Sequence, residues 1–245
     1  MTSLPVFLVD ELPVTDAFVL DGPEGRHAAS ARRLRAGEEL AVSDGRGGLL
    51  TCLVEHTERD TVALTVLSRE QRPRPGLTVT LAQALVKGER GELAVELATE
   101  AGVDAVLPWR AERSIARWED GPRGAKALAR WQSTVREAAK QARRPWRPEV
   151  GGPVSTAALV DRIGSAAATL VLHESAQQRL TEVTLPAEGE LLLVVGPEGG
   201  ISDAELAAFT GAGATPVRLG PSVLRASTAA AVALGALGAL TNRWQ

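Results

Sequence analysis

Three short segments carry residues whose types and spacing could bind a ligand, and each follows a β-like run. The first is the segment GPEGG at 196–200, which comes directly after the apolar run 190–195 and before a helix that a capping box, Ser202 with Glu205, predicts. Its glycines permit positive φ and close approach of a ligand to the backbone, and the free N–H groups of the next helix can bind an anion. The spacing fits neither the dinucleotide-binding pattern nor a Walker loop. From these residues alone, a ligand-binding loop and an ordinary strand-to-helix turn are both open.

The second segment runs from Leu219 to Thr228, again between a strand and a helix. Arg225 would lie at the amino terminus of that helix, where the helix dipole disfavours a cation. A cation placed there indicates an anionic ligand, and an arginine simply exposed to solvent is the alternative. The third segment is His173 with Glu174, directly after a short apolar strand. A single histidine in that position is compatible with a structural role as well as with ligand binding.

Positive charge is concentrated in one stretch of the chain. The 245 residues carry a net charge of −3, whereas residues 110–147 carry eleven basic and four acidic side chains, a net charge of +7. A solvated helix face explains the basic residues between 122 and 143. The segment QARRPWRP that follows, at 141–148, combines arginines with Trp146, which suits phosphates and a stacked base. This stretch therefore predicts a nucleic-acid partner in spite of the negative overall charge.

Other classes of protein are disfavoured by the composition. Cys52 is the only cysteine and the three histidines are far apart, so we expect no intrachain disulfide and no metal site. The chain starts without a secretory signal, and its longest apolar stretch, 229–240, is shorter than the roughly 20 residues that a membrane span needs. We therefore expect a cytoplasmic protein that does not span a membrane.

These segments are positioned by two different patterns of secondary structure. Residues 1–72 predict a small, mostly β domain, with strands at 6–9, 18–20, 40–43, 49–54 and 61–67, one helix at 24–35, and a linker at 68–76. Strands and helices then alternate, with strands at 77–85, 103–107, 169–172, 190–195 and 217–219 and helices at 89–101, 122–143, 156–163, 203–212 and 226–240. Alternation predicts an α/β domain with a mostly parallel sheet covered by helices. Ligands in such folds bind at the carboxyl ends of the strands, which is where the three segments lie.

In this order, the segments resemble the ribosomal small-subunit RNA methyltransferase E family (RsmE), in the SPOUT superfamily of knotted methyltransferases. GPEGG at 196–200 together with LGPSVLR at 219–225 is the most specific part of a resemblance that covers essentially the whole chain. The further similar pieces are His27 with residues 32–38 and 43–45, Gln83 with residues 87–90, residues 100–103 and 112–114, Gln141 with Arg144, residues 148–149, and Ile201, Ser202 and Glu205. One departure is Ser227, where the family commonly has an acidic residue.

The resemblance implies a PUA-like β-barrel that binds RNA over residues 1–72 and a SPOUT methyltransferase domain with a carboxyl-terminal trefoil knot over residues 73–245. It implies a homodimer that methylates N3 of a uridine in 16S ribosomal RNA, as naked RNA or in the 30S subunit, with S-adenosylmethionine as the cofactor. The cofactor-binding residues that it implies are Leu172, His173, Glu174, Gly196, Pro197, Glu198, Gly199, Gly200, Leu219, Gly220, Val223 and Leu224. The RNA-binding residues that it implies are Arg26, Arg32, Arg33, Arg35, Lys87, Arg90, Arg113, Arg143 and Arg144.

The reaction itself indicates what the catalytic groups must do. N3 of uridine carries a proton and is a weak nucleophile until that proton leaves. Arg225 or Arg144 is expected to stabilise the uridine anion and the phosphate. Glu198 is the nearest acidic candidate for a base, and bracing the loop is its alternative role; an acid at 227 is absent. Two other functions stay open: a related SPOUT methyltransferase acting on transfer RNA or a ribose 2′-oxygen, and a non-catalytic RNA-binding ribosome-assembly protein.

Overall fold

The computed structural model describes residues 4–244, which form two compact units. The first unit consists of the residues up to Arg74 together with residues 139–147, and the second consists of residues 75–138 and those from Pro148 onward. The 139–147 segment is therefore part of the first unit although the chain on both sides of it belongs to the second. No local sequence pattern indicates this.

The first unit is built on a curled, mixed sheet of five strands. They are Val6–Leu8 (β1), Ala17–Leu20 (β2), Glu39–Ser43 (β3), Gly48–Thr57 (β4) and Val62–Gln71 (β5). In the order β1-β3-β4-β5-β2, β1 pairs parallel with β3 and the other pairs are antiparallel. Residues of β4 alternate between buried and part-exposed, as expected when one face of a sheet packs on a core. The predicted small β domain is confirmed, as a half-barrel.

Two predicted boundaries in the first unit are wrong. Residues 68–71 belong to β5 and not to a linker, because β5 pairs with β4 as far as the partners Gly48 and Gln71. The predicted helix at 24–35 is a short α-helix, Gly22–Arg26 (α1), followed by one π-helical turn, His27–Ala31. Arg33 then has a φ of 55°, so the backbone leaves helical geometry before most of the arginines that were expected on this helix.

The 139–147 segment is fixed to the first unit by polar contacts. Lys140 Nζ donates a hydrogen bond to Glu24 Oε2 at 2.7 Å. The indole N–H of Trp146 lies 3.1 Å from the carbonyl oxygen of Arg72. Arg143 and Arg144, which were predicted to contact RNA, are therefore in a segment that belongs to the first unit.

The second unit is a six-stranded parallel sheet with helices on both faces. Its strands are Leu77–Ala84 (β6), Ala105–Trp109 (β7), Glu149–Val150 (β8), Ala168–Leu172 (β9), Gly189–Val195 (β10) and Thr215–Val217 (β11). Its helices are Arg90–Glu100 (α2), Pro122–Gln141 (α3), Thr156–Ser165 (α4), Asp203–Gly211 (α5) and Ala226–Leu240 (α6). The strand order is β11-β9-β10-β6-β7-β8. The last three residues of α3 are counted with the first unit.

The central strand β10 shows why the sheet is buried on both sides. Leu191, Leu193 and Val195 pack in one hydrophobic core, and Leu192 and Val194 pack in another. Each face of a covered parallel sheet needs apolar side chains, so the strand becomes a continuous apolar run instead of an alternating one. The predicted parallel α/β domain is confirmed, while the trefoil knot stays a prediction.

Two strands of this sheet lie a little away from their predicted places. β7 was predicted at 103–107, but its pairing with β6 runs from Ala105 to Trp109, after the left-handed Gly102 that ends α2. β11 was predicted at 217–219, whereas it runs from Thr215 to Val217 and contains Pro216. Proline is tolerated there because β11 is an edge strand of the sheet: on its open side there is no neighbouring strand to which a backbone N–H would bond.

Within residues 4–244, no helix is long and apolar enough to cross a bilayer.

Candidate functional site

Three parallel strands of the second unit end at the same level. The register of the sheet pairs Leu172 of β9 with Val195 of β10 on one side and with Val217 of β11 on the other. The residues that follow them therefore leave the sheet together, as expected at the carboxyl edge of a parallel sheet. The loops that begin there line one cavity of about 640 Å³, and Leu172, Val195 and Val217 are part of its wall.

The structure brings together all twelve residues that were predicted to bind the cofactor. They lie in three loops that line the cavity: Leu172, His173 and Glu174; Gly196, Pro197, Glu198, Gly199 and Gly200; and Leu219, Gly220, Val223 and Leu224. Their nearness is a finding of the structure, while their role in binding stays a prediction. Further residues of the lining were not among the predicted cofactor-binding residues, although some of them lie in the candidate segment 219–228. These are Val195, Ile201, Asp203, Val217, Arg218, Pro221, Ser222, Ala226, Ser227 and Ala229.

The glycines of the 196–200 loop are required by its tight conformation. A Cβ atom on Gly196 would lie 2.7 Å from a side-chain carbon of Ile201, which is closer than packed atoms approach. Gly200 has a φ of 75°, a left-handed conformation that glycine adopts without strain. The predicted capping box follows, because Ser202 Oγ accepts from the N–H of Glu205 and the Glu205 carboxylate accepts from the N–H of Ser202. The loop is thereby held close to the amino terminus of α5.

Charged side chains surround the cavity. Arg90 Nη1 lies 3.8 Å from Glu198 Oε1, and Arg113 Nη1 donates to the carbonyl oxygen of Gly199 at 3.3 Å. Arg225 precedes the first turn of α6, and its side chain makes no capping hydrogen bond. Arg90 and Arg113 were predicted to bind RNA, but they line the same cavity as the predicted cofactor loops. The site can therefore receive an anionic group next to an apolar floor.

The other predicted site residues lie elsewhere. Lys87 is exposed after β6 and lines a neighbouring cavity in the second unit. In the first unit, Arg26, Arg32, Arg33 and Arg35 are exposed, and Arg26 forms an ion pair with Asp60. Arg143 and Arg144 are in the 139–147 segment. Arg144, which was also predicted to be catalytic, is half-buried, and its backbone N–H donates to the carbonyl oxygen of Ala139.

The chemistry available to this site comes from amides, guanidinium groups, hydroxyls and carboxylates. Among residues 4–244, the structure places no three His, Cys, Asp or Glu side chains together as a candidate metal site. Apolar walls, a glycine-rich loop at a helix amino terminus and several guanidinium groups are typical of a site for a small molecule with an anionic part.

Comparisons with known proteins match both parts of the chain. A family model described as an RNA methyltransferase domain matches residues 73–238, and one described as an RNA methyltransferase PUA domain matches residues 20–67. The Mycobacterium tuberculosis protein named ribosomal RNA small subunit methyltransferase E is 54% identical, with 98% of this chain and 93% of the relative covered. Its namesake in Bacillus subtilis is 29% identical, with 96% and 93% covered.

A solved structure extends the likeness to three dimensions. It is the ribosomal RNA small subunit methyltransferase E of Neisseria gonorrhoeae bound to S-adenosylmethionine, which is 28% identical. It superimposes with a TM-score of 0.86, with 98% of each chain covered. The likeness therefore includes both the half-barrel unit and the unit that contains the cavity.

Proposed function

Because this chain belongs to the ribosomal RNA small subunit methyltransferase E family, we propose that it transfers a methyl group from S-adenosylmethionine to N3 of a uridine in 16S ribosomal RNA. One observation carries the proposal. The three loops that follow β9, β10 and β11 meet around a single cavity, and Arg225 lines that cavity with them. The cavity that we propose for the cofactor and the cation that we propose for the nucleotide are thus in one place.

The cavity fits the proposed cofactor in size and chemistry. Its volume of about 640 Å³ lies within the range of about 300–1,000 Å³ that small-molecule sites occupy. Leu172, Val195 and Val217 offer an apolar surface for a purine ring, and the 196–200 loop offers backbone groups for polar atoms. When bound, S-adenosylmethionine supplies a sulfonium-activated methyl group. The twelve residues of the three loops would hold it.

The protein must then make N3 of the uridine reactive. Loss of the N3 proton to solvent leaves a negative charge that is shared with the two carbonyl oxygens of the base, and transfer of the methyl group to N3 would release S-adenosylhomocysteine. Arg225 is suited to stabilise that anion, because it lines the cavity and its cationic side chain is not used for capping. Glu198 is better suited to bracing than to proton removal, because its carboxylate faces Arg90. Arg144 is proposed to contact the phosphate of the RNA from the first unit.

Recognition of RNA is assigned mainly to the first unit. We propose residues 1–72 as the PUA-like domain and residues 73–245 as the methyltransferase domain, with the 139–147 segment contributing Arg143 and Arg144. The exposed residues Arg26, Arg32, Arg33 and Arg35 supply phosphate contacts in the same unit.

We also propose that the protein is a homodimer in the cytoplasm and that it acts on ribosomal RNA or on the small subunit. Exposed apolar residues on α6, Val232 and Leu240, are surface that a second copy would cover.

A deletion strain tests the proposed reaction directly. Small-subunit ribosomal RNA from cells with and without the gene is digested to nucleosides and measured by mass spectrometry. We expect 3-methyluridine in the first sample and its loss in the second. Restoring the wild-type gene should restore the modified nucleoside, whereas restoring the gene for the Arg225→Ala variant should not. A missing 2′-O-methyl nucleoside, or a change only in transfer RNA, would support the related enzymes instead. Calorimetry that detects no S-adenosylmethionine binding at high micromolar concentration would favour a non-catalytic RNA-binding protein.

A further inference from the structure

A buried carboxylate outside the cavity connects the loops that form it. Glu205 is only 4% exposed, although it lies in the first turn of α5. Its Oε1 accepts from the N–H of Glu112 at 2.8 Å and from the hydroxyl of Thr156 at 2.9 Å, and its Oε2 accepts from the N–H of Ser202 at 3.2 Å. A capping box needs only the last of these bonds. The other two come from segments that are distant in the sequence.

Two further hydrogen bonds close this network. Ser202 Oγ donates to Glu112 Oε2 at 2.6 Å, and the indole N–H of Trp109 donates to the hydroxyl oxygen of Thr156 at 3.2 Å. The network therefore joins the end of β7, the loop after it, the amino terminus of α4 and the turn before α5. Burying a carboxylate costs free energy unless hydrogen-bond donors such as these satisfy it. The four segments that the network joins are therefore held in one arrangement.

The network acts on the cavity through the residue next to Glu112. Arg113 lines the cavity and donates to the carbonyl oxygen of Gly199, and a Cβ atom on Gly199 would lie only 3.2 Å from the Cβ of Arg113. The two loops are thus packed so closely that a side chain at 199 would press on Arg113. Glu205 fixes the backbone of one loop through Glu112 and the end of the other through Ser202.

We propose that Glu205 is a positioning residue: its buried carboxylate sets the distance between Arg113 and Gly199, and so the shape of the cofactor cavity and the place of the Arg113 guanidinium. The inference rests on the proposed function. Glu205 acts through the two loops and does not line the cavity itself. Its loss should therefore weaken cofactor binding, and it should also remove the contribution that Arg113 makes to kcat/KM as a residue that lines the cavity and is predicted to bind RNA.

The first test is the isosteric variant Glu205→Gln in the full chain. The amide keeps the size of the side chain but replaces one acceptor by an N–H₂ group, which cannot accept from its neighbours. We expect the calorimetric Kd for S-adenosylmethionine to rise about tenfold, as expected for losing one hydrogen bond to a charged group. The matched control is Glu182→Gln, on the short helix Leu180–Glu182, whose carboxylate likewise accepts from the backbone N–H three residues before it, that of Arg179, at 2.9 Å. That control should bind as the wild type does.

A double-mutant cycle distinguishes positioning from a general loss of stability. If Glu205 positions Arg113, the decrease in kcat/KM caused by Arg113→Ala in the wild-type background should shrink to less than about twofold in the Glu205→Gln background. Independent effects would multiply instead, and that result would overturn the proposal. Should Glu205→Gln fail to fold by circular dichroism, Thr156→Val removes the hydroxyl that donates to Glu205 Oε1 and should show the same non-additivity with Arg113→Ala.

Failure of this inference can be told apart from failure of the proposed function. A wild-type protein that neither binds S-adenosylmethionine nor methylates ribosomal RNA contradicts the function itself. A wild-type protein that does both, with a folded Glu205→Gln variant of unchanged affinity and unchanged response to Arg113→Ala, contradicts only the role of Glu205.

Discussion

The carboxylate of Glu198 faces the guanidinium of Arg90, with Nη1 and Oε1 3.8 Å apart at the cavity that the three loops form. Both side chains are part-exposed, so this ion pair adds only a small amount to stability. Its geometric effect is more important. It joins the 196–200 loop to the first residue of α2, and it directs the only carboxylate of the GPEGG segment towards a cation.

This contact predicts what Glu198→Gln should do. The variant keeps the shape of the side chain but loses the ion pair, so the 196–200 loop is held less firmly. We expect the Kd for S-adenosylmethionine to rise about threefold, a decrease in binding free energy in the range typical of an exposed ion pair. The single-turnover methylation rate at saturating cofactor should fall by less than about threefold. A fall of a hundredfold or more, with a changed pH dependence, would show that Glu198 is the base.

Arg225 is the residue for which we expect the largest effect on the chemical step. It lines the cavity at the amino terminus of α6, and its side chain makes no capping hydrogen bond there. Removing one group that stabilises a developing anion costs about 10²–10³ in rate. Arg225→Ala should therefore lower kcat by about a hundredfold while the calorimetric Kd for the cofactor changes little, and Arg225→Lys should recover part of the rate. An equal loss in Kd and kcat would indicate a cofactor contact instead.

The carboxyl edge of the sheet shows how far sequence reasoning reaches. The apolar run ending at Val195 predicts a strand buried on both faces, and Ser202 with Glu205 predicts the capped helix after it; both are present. Parallel strands end at one edge, so the loops after them could be expected to meet. Local pattern was sufficient here because each element depends on residues close to it in the chain.

Long-range contacts are what the sequence could not show. The N–H of Glu112 donates a hydrogen bond to the carboxylate of Glu205, 93 residues away. Nothing in the sequence around either residue indicates that the two are partners. Polar residues 68–71 resemble a linker, yet pairing with β4 makes them a strand. Likewise the 139–147 segment reads as the end of a helix and a basic loop, while its contacts place it in the first unit. In each case the deciding energy comes from a distant partner that local composition does not reveal.

The Lys140–Glu24 pair predicts that this distant segment stabilises the first unit. The two side chains are only 14% and 15% exposed, and the ammonium also lies 5.4 Å from the centre of the Phe7 ring. Lys140→Met would leave the Glu24 carboxylate largely buried without this cation, which costs about 3 kcal/mol. We expect a lower urea midpoint for the full chain.

A double variant and a surface lysine supply the controls for that experiment. Lys140→Met with Glu24→Gln removes both charges, so it should regain most of the lost stability. Lys126 is exposed on the same helix, α3, and Lys126→Met should leave the urea midpoint within experimental error. An equal loss in the single and double variants would show that packing of the lysine stem, and not the charge pair, stabilises the unit.

Cys52 predicts a change of stability with pH. The thiol is fully buried in the core of the first unit, and burial raises its pKa from the ordinary 9.0 to about 11, although the nearby Arg69 acts in the opposite direction. Below pH 9 the thiol is protonated in both the folded and the unfolded chain. Between pH 9 and 11 the unfolded chain loses the proton first, so the free energy of unfolding falls as the pH rises.

The size of this fall can be measured against a matched variant. A pKa difference from 9.0 to about 11 corresponds to a loss of about 3 kcal/mol once the pH has passed through the whole interval. The sequence contains no tyrosine, so lysines are the main other groups that titrate there. We expect the urea midpoint of the wild type to fall more steeply from pH 9 to 11 than that of Cys52→Ala. Because alanine carries no ionisable group, parallel pH curves for the two proteins would mean that the buried thiol does not cause the loss of stability.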